Sequence, residues 1–269
     1  MRWWSLERHP PDGKVAVATF RRPPRNLMSM AAMTELEGLL GEVAGDEGTQ
    51  VLVLTGGVPG YFVAHADVED LARIGAGQPV EGDPGSWRRA FALLETMPQP
   101  VVAAVDGQAW GGGSELCWAC TTRVASTAAT FGQPEVLVGI IPGAGGTQRL
   151  PRLIGAGRAA ELVLSGRVVP ADEALRLGMV EAVLPAEGFP AAALAWAGRF
   201  ATPPRPAVVA AKRAIVDGLR LPLDEGLRRE SALFLECQTR PDTLAIQGEV
   251  VQRYATAGEG ERLTLDPRG

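Results

Sequence analysis

Long apolar runs, basic charge, histidine and cysteine are all scarce in this chain, and each scarcity removes a class of function. No stretch approaches the ~20 apolar residues that a membrane-crossing helix needs, and residues 1–10 contain two arginines and a glutamate but no apolar signal core. The expectation is a soluble, cytoplasmic protein with no membrane association. Lysine and arginine number 26 against 31 acidic residues, for a net charge of −5, so the basic footprint of a nucleic-acid binder is missing. Cys117, Cys120 and Cys237 are too few for a disulfide framework. Zinc needs about four ligands and only His9 and His65 could join the thiols, so no metal site is expected. The Cys117-x-x-Cys120 pair lies among Leu116, Trp118 and Ala119 rather than at a helix start after a strand, and it reads as two buried structural thiols.

What is present is a large hydrophobic complement. Hydrophobic residues make up 46% of 269, enough for one sizeable domain with an appendage. Trp3–Arg8 and Lys14–Phe20 read as a hairpin around the turn His9–Gly13. Ser29–Val43 places Met30, Met33, Leu36, Leu40 and Val43 at helical spacing behind a serine N-cap. Val51–Thr55 and Pro100–Val105 read as short buried strands, with helices over Asp67–Ile74 and Gly85–Thr96 and a mobile Gly/Pro-rich loop over Gly75–Pro84. This alternation predicts an α/β fold. Beyond Gly145 the pattern is mainly helical, over Thr147–Leu153, Arg158–Leu164, Ala171–Leu177 and Ala191–Phe200, with one short strand over Met179–Leu184. The proline cluster Thr202–Pro206 marks a boundary, so a core over residues 1–201 is expected ahead of a helical region over 202–269. That region carries helical spacing over Ala207–Leu219, Leu223–Thr239 and Leu244–Tyr254 and closes on a polar, frayed tail from Gly258.

The chemistry concentrates at Gly111-Gly112-Gly113-Ser114-Glu115 and at Pro134-Glu135. Glycines opening a helix offer free backbone N–H groups to a developing negative charge, and a glutamate one turn in lies beside them. Glu115 and Glu135 are 20 residues apart, too far to share one helix face, so the chain must fold back to pair them. Paired carboxylates can act as acid and base once their environments differ. Equally, Glu115 could simply favour the helix dipole and Glu135 simply follow a proline into a first turn. A serine hydrolase built on Ser114 lacks the second glycine of a nucleophile elbow and has only His9 or His65 as base. The glycine runs carry no P-loop lysine and no dinucleotide fingerprint after a strand.

Gly111–Leu116, Phe131–Gly139 and Ile141–Leu150 together resemble the enoyl-CoA hydratase/isomerase (crotonase) superfamily, in order and with matching gaps. Weaker matches at Arg22–Asn26, Val51–Gly56, Ala64–Val68 and Leu164–Gly178 extend the resemblance over nearly the whole chain. It implies a crotonase-like spiral of ββα units with a C-terminal helical trimerisation region, assembled as a homotrimer or homohexamer. It further implies that the N–H groups of Ala66 and Gly112 hold the thioester oxygen of an acyl-CoA, with coenzyme A entering as part of the substrate and no cofactor besides. Glu115 would activate the added water and Glu135 would exchange the α-proton. Ala64, His65, Asp67, Val68, Trp110 and Gly143 would line the substrate. The implied activity is reversible hydration of a trans-2-enoyl-CoA within fatty-acid β-oxidation. The alternatives are 3-enoyl to 2-enoyl isomerisation, other acyl-CoA chemistry of the superfamily, or a scaffold that kept the fold.

Several positions depart from the family pattern. His65 stands where a glycine is usual, which implies strain if the position needs positive φ; it either points away or touches the ligand. Glu69 stands where a lysine is frequent, Trp110 where a smaller residue is frequent, and Thr239–Gly248 lacks the acidic and aromatic pattern usual before the last helix. Trp110, Trp87 and Trp118 read first as core, with a wall of the acyl pocket as the alternative, and Trp110 could reshape the acyl tunnel.

Overall fold

The chain opens with the antiparallel hairpin β1 (Trp4–His9) and β2 (Val15–Phe20), as the alternating sequence predicts. The computed structural model describes all residues except Met1, 10–12, 259, 263–264 and 266–269. The centre of the first turn and most of the tail beyond Gly258 therefore lie outside the described residues. Helix α1 (Met30–Gly45) starts where Ser29 accepts the Ala32 N–H on its hydroxyl, satisfying one of the free amides of the first turn. Next come β3 (Val51–Gly56), α2 (Val68–Gly75), α3 (Ser86–Thr96) and β4 (Val101–Val105). They are followed by β5 (Gln108–Trp110), α4 (Gly112–Ala119), β6 (Thr122–Ser126), β7 (Thr130–Gly132) and a 3₁₀ turn over Pro134–Val138. Helices α5 (Gly146–Ile154) and α6 (Ala156–Ser165), strand β8 (Val168–Pro170), α7 (Ala171–Leu177), β9 (Ala182–Leu184) and α8 (Phe189–Gly198) complete the first of two compact units, Met1–Pro203.

Six strands form one sheet in the order β1-β2-β3-β4-β6-β9, parallel from β2 onward. A parallel sheet covered on both faces needs strands that are apolar at successive positions, and Val51–Leu54 and Val101–Val105 supply them. Leu52, Leu54, Val101, Ala103 and Val105 enter the main core with α1, α3 and α4. Val51, Val53, Val102 and Ala104 point the other way, onto Phe189, Ala193 and Ala197 of α8. Strands β5, β7 and β8 make a separate small sheet beside the first.

The structure amends the sequence reading in three places. The strand expected over Met179–Leu184 keeps only its last three residues, because Gly178 ends α7 in the left-handed conformation and Met179 and Val180 turn into the core. Strand β8 has three residues, too few for periodicity to reveal. The Gly75–Pro84 loop is tied down at its far end: Asp83 N–H donates to Thr34 Oγ1 at 2.8 Å, and a Cβ on Gly82 would lie 2.6 Å from the Ala31 nitrogen.

The second unit, Pro204–Gly269, holds α9 (Arg205–Gly218), α10 (Leu223–Gln238) and α11 (Pro241–Thr256). Helix α9 packs on α10, with Arg229 bonded to Asp217 at 2.9 Å. Leu219, Leu223, Phe234, Leu235, Val251 and Tyr254 remain exposed on it.

Candidate active site

The site is assembled by a segment that carries no long element of its own, residues 62–67. Asn26 is the only described non-glycine residue at positive φ, and its buried side-chain amide donates to the carbonyls of Phe20 (3.0 Å) and Phe62 (2.5 Å). Ala64 N–H donates to Asn26 O and Asp67 N–H to Met28 O, so the segment runs beside residues 26–28. Met28 N–H donates to His65 O at 2.9 Å. In a trans peptide the N–H points opposite the carbonyl, so this bond turns the Ala66 N–H away from Met28.

The second amide is held in the same way. Gly111, at φ 49° and ψ −123°, precedes α4, and its carbonyl accepts from Glu115 N–H (2.9 Å) and from Gln133 Nε2 (3.1 Å). Those two bonds fix the Gly111–Gly112 peptide and aim Gly112 N–H outward from the helix start, where it has no intrahelical acceptor. Neither Ala66 N–H nor Gly112 N–H meets an acceptor among the described residues. The two residues are neighbours: a Cβ built on Gly112 would lie 3.4 Å from that of Ala66. Gly113 permits this, since any side chain there would run into the Val63 carbonyl. Two neighbouring residues whose amides meet no acceptor offer the donors that an oxyanion would need.

The carboxylates occupy contrasting surroundings. Glu115 is buried, and its Oε1 accepts Ala144 N–H at 2.8 Å and Gly146 N–H at 2.7 Å, at the N-terminus of α5. Burial raises its pKa, while those two amides and the Arg149 charge favour the anion. Arg149 donates to Ala144 O at 2.8 Å and pairs with Glu95 at 2.7 Å, holding the turn that supplies the amides. Glu135, on the 3₁₀ turn, is pushed up to about 7, first by burial and then by the charge of Glu115. Its Oε2 is buried and meets no partner among the described residues, and its Oε1 would lie 3.0 Å from a Cβ on Gly111. The chain therefore folds back to bring Glu135 to the start of the helix that carries Glu115. Burial pushes both carboxyls up; Glu115 alone has two backbone amides and a cation that oppose the rise, and Glu135 is placed to hold a proton near neutrality.

The family model described as enoyl-CoA hydratase/isomerase matches residues 11–258. The chain belongs to the enoyl-CoA hydratase/isomerase family. It is 38% identical over 234 residues to the short-chain-enoyl-CoA hydratase of Clostridium acetobutylicum, covering 86% of this chain and 88% of that relative. It is 38% identical over 233 residues to the crotonyl-CoA hydratase of Syntrophomonas wolfei, covering 86% and 89%. Among solved structures, an enoyl-CoA hydratase from Bacillus anthracis superposes with a TM-score of 0.83 at 34% identity, covering 94% of this chain and 95% of that one.

Within this enoyl-CoA hydratase/isomerase chain, the residues singled out by sequence fall as follows. His65 is not at positive φ, so the expected strain is absent; its Nδ1 lies 2.7 Å from Ala66 O, and the substitution is accommodated by a local hydrogen bond. Asp67 caps α2, accepting Glu69 N–H, and pairs with Arg22 at 2.7 Å, while Val68 opens that helix exposed. Ala64 is buried, and its carbonyl accepts Trp110 N–H at 2.9 Å. The Trp110 indole N–H ends on Thr130 Oγ1 at 3.1 Å. Gly143 precedes the Glu115 anchor Ala144. Ser114 is buried, donates to Ala109 O and accepts Gly132 N–H, so it offers no free nucleophile. Cys117 and Cys120 are buried and form no disulfide, and among the described residues no cluster could hold a metal ion.

Sequence reasoning missed three contributors. Gln133 holds the Gly111 carbonyl, the Ala144 and Gly146 amides hold Glu115, and the Trp87 ring stands against Gly112. Gln133 and the glycines around 144 lay inside motifs, but only the fold gives them an object.

Proposed function

We propose that this chain is an enoyl-CoA hydratase, adding water reversibly across a trans-2-enoyl-CoA to give the 3-hydroxyacyl-CoA. The observation that carries the reading is the pair of unlike carboxylates at the start of one helix, beside two amides without acceptors. The thioester oxygen sits between Ala66 N–H and Gly112 N–H, which stabilise the enolate as it forms. Glu115 takes a proton from water while the water oxygen bonds to the β-carbon. The alkene electron pair moves toward the thioester, and Glu135 delivers its proton to the α-carbon on the same face. The turnover leaves Glu115 protonated and Glu135 charged, so one proton returning between them resets the site.

Coenzyme A enters as part of the substrate, and the steps call on no other cofactor and no metal. Ala64, His65, Asp67, Val68, Trp110 and Gly143 line the bound thioester. Relatives named short-chain and crotonyl-CoA hydratases support a short acyl group. The core is the crotonase spiral, and the exposed apolar side chains of α9, α10 and α11 support a trimerisation role for those helices in a homotrimer or homohexamer. No described helix is long and apolar enough to cross a membrane, which accords with a cytoplasmic enzyme.

A product assay tests the reading. Hydration of crotonyl-CoA adds the mass of one water. Double-bond migration without mass gain would make the protein an isomerase, and acyl-CoA binding without turnover would make it a scaffold.

A further inference from the structure

The edge of the Trp87 ring fills the space that a Gly112 side chain would occupy. A Cβ on Gly112 would lie 2.7 Å from Trp87 Cη2 and 3.0 Å from Cζ3, with the Ala66 Cβ at 3.4 Å. The ring therefore stands against Gly112, one of the two residues whose amides lack acceptors, on the side where Ala66 also approaches. Across the same helix start, Gly111 faces the Glu135 carboxylate. An acyl group with its carbonyl at Gly112 N–H and its α-carbon toward Glu135 has the indole as a wall.

The wall is held in place. Trp87 packs on the buried Phe91 with centroids 5.6 Å apart. Helix α3 is clamped to α1 by Arg89, bonded to Glu37 at 2.5 and 2.9 Å, and by Ser86 on Thr34 at 3.1 Å. The ring is only partly buried, yet its indole N–H is buried and meets no acceptor among the described residues. A buried indole N–H ordinarily finds a partner within the protein. The rest of the ring is only partly covered by protein, which leaves part of it open to a neighbour.

We infer that Trp87 is a specificity-determining residue, whose ring closes the acyl side of the site and restricts it to short, unbranched acyl groups. The inference rests on the acyl-CoA reading of the site and names the residue that sets its substrate range. A wall of this kind acts on the acyl chain and not on coenzyme A, so its effect lies in the ratio between acyl lengths.

Calorimetric binding of butyryl-CoA and decanoyl-CoA, neither of which can be hydrated, measures that ratio for wild type, Trp87→Phe, Trp87→Leu and Trp87→Ala. The wild type is expected to prefer butyryl-CoA. Trp87→Ala, and Trp87→Leu to a lesser degree, should shift the ratio toward decanoyl-CoA by about tenfold or more, the scale on which apolar pockets discriminate. Trp87→Phe should keep the wild-type preference, because it keeps a ring. If Trp87→Ala does not fold, Trp87→Leu against Trp87→Phe carries the comparison. A folded Trp87→Leu whose ratio stays within about twofold of wild type, or a wild type that prefers decanoyl-CoA, overturns the inference. Because binding is read without turnover, a protein that shows this selectivity but hydrates no enoyl-CoA contradicts the hydratase reading alone.

Discussion

Replacing Glu135 with glutamine should make the protein more stable above neutrality while leaving its stability unchanged in acid. The carboxyl rises from an ordinary 4.5 to about 7 in the folded chain, because burial and the Glu115 charge both oppose its ionisation. A carboxyl that binds its proton more tightly when folded favours folding while protonated, and that contribution fades as pH climbs from about 4.5 to about 7. Above that window the wild type carries the full cost of a partly buried anion. The interval corresponds to about 3 kcal/mol, which falls to about 1–2 kcal/mol once discounted for the part of the carboxyl that water screens. Glutamine has no charge to bury, so the variant should show no such slope. Urea denaturation at fixed protein concentration, run for both proteins from pH 5 to pH 8.5, reads the difference directly. A stability gap that opens in favour of the variant between pH 5 and pH 7.5 supports the argument. A gap independent of pH, or a variant less stable than wild type at pH 8, would refute the assignment of Glu135 as the proton-holding member of the pair.

Further outcomes follow from the same geometry. The hydration kcat/KM should be bell-shaped, because the active pair holds one proton, with its alkaline limb near 7; a flat profile through pH 8 would contradict this. Gly113→Ala forces a methyl group onto the Val63 carbonyl and should cost about 1–3 kcal/mol in thermal unfolding, with turnover falling as the two amides separate. Arg149→Met removes the cation that favours ionised Glu115 and loosens the turn behind it, so kcat should drop about tenfold or more and the acid limb should move up. An unshifted limb would mean that Arg149 serves structure only.

Much of the framework was legible in the sequence because it rests on patterns with a local cause. Ser29 caps α1, Val51–Leu54 and Val101–Val105 are apolar on both faces, and Gly178 stops α7. Glu115 and Glu135 could be named as a pair, but their meeting depends on β5 and β7, three residues each, lying parallel and returning the chain to the start of α4. Strands that short leave no periodic signal. The difference between the two carboxylates was equally hidden. It arises from the amides of Ala144 and Gly146, 29 and 31 residues beyond Glu115, and a backbone donor carries no mark in a side-chain alphabet. For Trp87 the sequence left core and acyl-pocket wall both open; only the empty side-chain position of Gly112 shows where its ring ends. Strain at His65 depended on whether the position demands positive φ, which the sequence leaves open; the histidine there adopts an ordinary φ and bonds to the next carbonyl.

The most direct test of the central claim is crotonyl-CoA incubated with the protein in H₂¹⁸O, with the product read by mass and with Glu115→Gln and Glu135→Gln alongside. Hydration predicts a 3-hydroxybutyryl-CoA carrying one ¹⁸O, formed at a rate that each substitution lowers by about 10²–10⁴-fold while thioester binding persists. Unchanged rates in either variant, or a product without the heavy oxygen, would contradict two-glutamate hydration at this site.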